Sequence, residues 1–196
     1  MYPLETRPSP YSGKSLVLVG PPCSGKSSLA KAFQAAATEP WLFLEADAVL
    51  RIEPKGQISQ PPSDEDFGFD MAIRLGLLRS AEAFQRAGVN VILEQDISDA
   101  WGQRVAAEVF APHESWLVRL IADVDVLEER EHRRQTTFPG LARKQVERGD
   151  WDFPCDVEIH TDGEGSGEVA ARLHAWLREE PTPAAFRAIL ASSRSS

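Results

Sequence analysis

The octapeptide Gly20-Pro21-Pro22-Cys23-Ser24-Gly25-Lys26-Ser27 constrains this chain more than any other stretch, because it meets every fixed position of the phosphate-loop pattern G-x-x-x-x-G-K-S/T. Glycine at positions 20 and 25 permits backbone angles that let successive N–H groups curl round an anion, and a helix opening there adds its positive end. Lys26 then brings a full charge to the terminal phosphates, and Ser27 a hydroxyl for the Mg²⁺ that bridges them. The flanks agree. An apolar run, Ser15 to Val19, precedes the loop, and Leu29, Ala32, Phe33 and Ala36 follow at helical spacing, so the segment reads as strand, loop, helix. Residues Gly20 to Ser28 are therefore predicted to bind a nucleoside triphosphate. Gly13-Lys14-Ser15 repeats the tripeptide but precedes the strand and lacks the upstream glycine, and it carries no function.

A chain of 196 residues suits one α/β domain with a full core. Its 30 acidic residues exceed its 21 basic ones, and a net charge of −9 repels nucleic acid and anionic membranes. The expected partner is a small molecule. No signal-peptide pattern opens the chain and no apolar run approaches the length of about 18 residues needed to span a bilayer, which predicts a cytoplasmic protein. Cys23 and Cys155 form neither a CxxC pair nor a zinc spacing and are expected to be free thiols.

Further along, Trp41 to Ala46 is a second strand closing on Asp47, at the edge where open parallel sheets place their ligands. Residues 50–66, broken by Pro54, Gly56, Pro61 and Pro62, read as a cover over the site. A long helix follows, with Met71, Leu75, Leu78, Ile73, Leu77 and Phe84 on a broad apolar face ending at Gly88. Val89 to Leu93 is a third strand, and Glu94, Gln95 and Asp96 after it are assigned as site-lining, partners of the substrate or of a metal-bound water, with solvated loop polarity as the alternative. A fourth strand (Trp116 to Ala122) leads to a helix that carries Arg130, Arg133 and Arg134 on one side, then a break at Pro139-Gly140. A fifth strand, Asp156 to His160, and a closing helix at Val169 to Leu177 complete the pattern. Strands alternating with helices predict α/β architecture: a five-stranded parallel sheet with helices on both faces, of the phosphate-loop kinase type. The expected organisation is a flexible leader (1–14), a kinase domain (15–180) with a lid at about 131–148, and a short helix with a disordered tail (181–196).

Several stretches together resemble the chloramphenicol phosphotransferase family: Glu39-Pro40-Trp41-Leu42 running into Asp47, Arg130-Glu131, Gly140-Leu141-Ala142-Arg143-Lys144-Gln145, and Asp156-Val157-Glu158. The resemblance implies transfer of phosphate from ATP to a small-molecule hydroxyl, with Asp47 as base and Arg130 and Arg134 as lid arginines on the phosphates. It also implies a role in antibiotic resistance or modification. The chain departs from that family at Thr136-Thr137, at Gly149-Asp150, at Ile159-His160-Thr161, and in the length and composition of 50–66. A kinase of a nucleoside, sugar or shikimate-like metabolite is the alternative. A nucleotide-driven switch is a further one, disfavoured because no base-reading NKxD element occurs.

Overall fold

The computed structural model describes residues 13–46, 48, 64–134 and 139–193. Within them β1 (Ser15–Val19), β2 (Trp41–Glu45), β3 (Asn90–Glu94), β4 (Ser115–Ile121) and β5 (Val157–His160) form one sheet in the order β2-β3-β1-β4-β5, with every neighbouring pair parallel. Helices α1 (Lys26–Ala36), α2 (Asp64–Arg86), α3 (Ala100–Phe110), α4 (Val124–Arg134), α5 (Leu141–Glu147), α6 (Ser166–Arg178) and α7 (Ala185–Ser192) connect and cover it. This is the five-stranded, doubly covered parallel sheet that the alternation predicts.

Strand pleating divides the core into two layers. Leu16 and Leu18 of β1 pack with Phe33 of α1 and Val169 and Leu173 of α6. Val17 and Val19 face the other way, towards Leu78 of α2, Phe110 of α3 and Phe186 of α7. The apolar face of α2 is narrower than its sequence suggests. Leu77, Leu78 and Ala81 are buried, whereas Leu75 and Phe84 are 37% and 42% exposed, because α2 packs on β3 and α3 along one side only.

Asp156, the first residue of the run read as strand five, lies outside β5. Its carboxylate accepts from the backbone N–H of Leu117 (2.8 Å), Ala184 (2.7 Å) and Ala185 (3.0 Å), clasping β4 to the start of α7. Phe186 and Ile189 of α7 are consequently in the core, past the boundary that Pro181 and Pro183 suggest at residue 180. At the other end Lys14, read as leader, donates its N–H to Asn90 Oδ1 and accepts from Val91 N–H, extending the ladder. Residues 1–12 of the expected leader, 194–196 of the tail, 50–63 of the cover and 135–138 of the lid lie outside the described residues. Among the described residues no helix is long and apolar enough to cross a membrane.

Candidate active site

Because β1 lies between β3 and β4, the loops leaving their C-terminal ends emerge side by side. The loop after β1 is the phosphate-loop sequence. Gly20 holds φ +138°, and a Cβ there would stand 2.1 Å from the Leu120 carbonyl oxygen; Gly25, at φ +96°, is the left-handed N-cap of α1. Cys23 has φ +62° despite its side chain, a strained conformation at the centre of the turn. Helix α1 has no side-chain cap, which leaves the N–H groups of its first turn directed at the loop's mouth. Lys26 Nζ folds back and donates to the carbonyls of Gly20 (2.8 Å) and Pro21 (2.9 Å). A cradle that excludes a Cβ, an uncapped helix start and a lysine on a flexible stem fit the phosphates of a nucleotide.

Two cavities meet at this loop. The smaller, about 340 Å³, is bordered by Ser28, Leu29, Arg130, Thr161, Glu164 and Val169. The larger, about 500 Å³, lies towards β3 and α5, with Lys26, Ser27, Ala46, Glu94, Gln95 and Asp96 on its walls. Cys23 and Arg134 border both. The structure thus brings the loop, the β3 end and the α4 arginines together as the sequence suggests, while Asp47 lies outside the described residues, next in sequence to the wall residue Ala46.

The two lid arginines are held differently. Arg130 donates to Thr161 Oγ1 (3.0 Å), to the Thr161 carbonyl (2.7 Å) and to the Cys23 carbonyl (3.3 Å). Thr161 Oγ1 in turn donates to the Ser24 carbonyl at 3.0 Å, so α4, the end of β5 and the phosphate loop form one braced unit. Arg134 makes no ion pair or hydrogen bond among the described residues and reaches the seam between the cavities. Arg133, on the same side of the helix, pairs with Glu129 (3.1 Å) and is largely exposed at the edge of the smaller cavity.

Sequence reasoning missed four residues here. Thr161 was visible only as a departure from the family pattern. Glu131, in a helix crowded with charge, reads as surface but is buried, and its carboxylate accepts from Gly140 N–H (2.8 Å) and Ala142 N–H (3.0 Å), capping α5 from another helix. Gln145 and Trp151, both buried, border the larger cavity. For Trp151 the available signal is the aromatic ring in a polar loop; for Gln145 it is the family-like stretch from Gly140 to Gln145. Burial raises the Cys23 thiol pKa above its ordinary value, with Arg134 opposing.

Comparison with known proteins agrees with this geometry. The chain is 27% identical over 194 residues to a protein of Mycobacterium tuberculosis H37Rv, Rv2636, provisionally named an O-phosphotransferase, with 89% of this chain and 86% of the relative covered. Its fold is similar to that of shikimate kinase from Acinetobacter baumannii in complex with shikimate (TM-score 0.64, 14% identity, 85% of this chain and 94% of that one). A sugar kinase from Janibacter is also similar (TM-score 0.60, 20% identity, 88% and 97%). The model of the chloramphenicol phosphotransferase-like family matches residues 13–178, and the chain belongs to that family of phosphate-loop phosphotransferases.

Proposed function

We propose that this chain transfers the γ-phosphoryl group of ATP to a hydroxyl of an antibiotic-like small molecule. The observation that carries the reading is the position of Arg134, on the wall of both cavities and beside the phosphate loop, where a phosphoryl group would pass from one chamber to the other. The smaller cavity then takes the nucleoside and the larger one the acceptor.

Bound there, ATP with Mg²⁺ supplies the phosphoryl group and a cation that neutralises its oxygens. The Gly20 to Ser28 backbone would orient the phosphates, Lys26 would leave the Gly20 and Pro21 carbonyls to meet them, and the Ser27 hydroxyl would hold the metal. Arg134 grips the moving charge. Arg130 does so from its brace on Thr161. Asp47 is assigned as the base that orients the acceptor hydroxyl and takes its proton late in the transfer. Glu94, Gln95 and Asp96 line the acceptor side.

The test offers chloramphenicol, other hydroxylated natural products, sugars and nucleoside monophosphates at equal concentration with γ-labelled ATP, and compares kcat/KM. The distinct length and composition of 50–66 predict an antibiotic-like alcohol as the best acceptor and chloramphenicol as a poor one. Chloramphenicol ranking first overturns the reshaped pocket; sugars or nucleoside monophosphates ranking first overturn the acceptor class.

A further inference from the structure

The left-handed backbone of Cys23, at φ +62°, persists in a residue with a side chain only where its surroundings over-determine it. Both peptides that follow it are held. In the peptide joining Cys23 to Ser24, the N–H donates to the Pro21 carbonyl (3.2 Å) and the C=O accepts from Arg130 (3.3 Å). In the next, the Ser24 carbonyl accepts from Thr161 Oγ1 (3.0 Å). Gly25 N–H lies antiparallel to that carbonyl across the planar bond and takes no protein acceptor among the described residues. Fixing the carbonyl therefore aims the N–H, and a donor set before the ligand arrives is what an anion cradle needs.

Thr161 is itself anchored independently of its hydroxyl. Its N–H donates to the Ile121 carbonyl (3.0 Å), carrying the ladder between β4 and β5 one residue further, and the residue is buried. The hydroxyl has a single proton to give. Its acceptors are the carbonyls of Ser24 at 3.0 Å and Ile121 at 3.3 Å, and the shorter contact ties it to the loop. The same oxygen accepts from Arg130 (3.0 Å), whose guanidinium also holds the Thr161 carbonyl (2.7 Å). A hydroxyl that accepts from a cation donates more strongly in turn, so the two bonds support each other.

We infer that Thr161 is a positioning residue for phosphoryl transfer: its hydroxyl ties the Ser24 carbonyl and Arg130 to the end of β5 and so keeps the loop's N–H groups in the arrangement that receives the phosphates. This rests on the kinase reading above and adds to that site a residue that acts through the loop. Thr161 also borders the smaller cavity, so a hold on the loop has to be separated from a contact with the nucleoside. Calorimetric titration of the full chain measures Kd for a non-hydrolysable ATP analogue with Mg²⁺, and for adenosine, in the parent and three variants. Thr161→Val keeps the branched shape without the hydroxyl, and Thr161→Ala leaves nothing to clash. Each should weaken the analogue by about 10-fold and adenosine by less than about twofold, because adenosine does not use the loop. Thr161→Ser returns the hydroxyl and should bring the analogue back to within about threefold of the parent. Equal losses for analogue and adenosine overturn the inference and assign Thr161 to the nucleoside. Analogue affinity within about twofold of the parent in Thr161→Val and Thr161→Ala also overturns it, as does Thr161→Ser binding no better than Thr161→Val. In each of those cases a parent that transfers phosphate from γ-labelled ATP leaves the kinase reading standing. A parent that binds no nucleotide overturns both.

Discussion

Lys26 is held by two carbonyls of its own loop and, in the proposed reaction, exchanges them for phosphate oxygens, so its loss should be felt by the ligand and not by the core. Lys26→Ala should lower turnover by about 10²-fold or more while thermal melting stays within a few degrees of the parent; transfer within a few-fold of the parent would falsify the phosphate-loop assignment. Asp47→Asn separates a base from a metal partner. As a base, it should cost about 10²-fold in kcat with KM for ATP little changed; lost ATP affinity with kcat retained assigns it to the metal shell instead. Lys26 is legible in sequence because the phosphate loop fixes one residue type at one spacing, whereas Asp47 is named by its place after the second strand and by the family resemblance. Thr161 and Glu131 are not legible. Thr161 acquires its role from Ser24 and Arg130 and Glu131 from the start of α5, and local spacing carries no trace of either.

At the scale of elements, α4 and α5 are joined by two ties of unequal weight. One is the buried Glu131 carboxylate on Gly140 and Ala142. The other is an outer pair, Arg143 to Glu128 at 2.6 and 2.8 Å, in which the guanidinium holds the Glu128 carboxyl below the usual carboxylate range. Solvent screens the outer pair, so Arg143→Ala should leave melting nearly unchanged. Glu131→Ala strands the buried Ala142 N–H and the part-buried Gly140 N–H, at a cost of about 2 kcal/mol, or roughly 4–8 °C in Tm for a chain of this size. It should also slow transfer, because Arg134 is one turn further along the same helix. Melting of both variants by calorimetry decides which tie holds the helices. The sequence showed α4 and α5 as helices from their spacing, but not which charge on α4 is buried; that depends on α5 docking against it.

For the molecule as a whole, the alternation of apolar runs with amphipathic helices made the sheet and its two cores predictable. The closing helix α7 was underestimated because two prolines precede it, and prolines mark a turn without saying whether the chain returns. It does return: Phe186 packs 5.4 Å from Phe110, and Asp156 pins the turn. Phe186→Ala should therefore destabilise by about 3–5 kcal/mol, read by denaturant unfolding, with kcat/KM unaltered well below the melting point because Phe186 borders neither cavity. Arg134 stands on the wall of both chambers, and a side chain shared in this way is a lever between them. In the proposed reaction a rotamer that suits one occupant reshapes the room left for the other, so nucleotide and acceptor should not titrate independently. Thermodynamic reciprocity then requires that a non-hydrolysable ATP analogue change acceptor affinity by the same factor, of order 5–150-fold, by which the acceptor changes affinity for the analogue. Calorimetric titrations run in both orders should give matching factors, and Arg134→Ala should bring both to one.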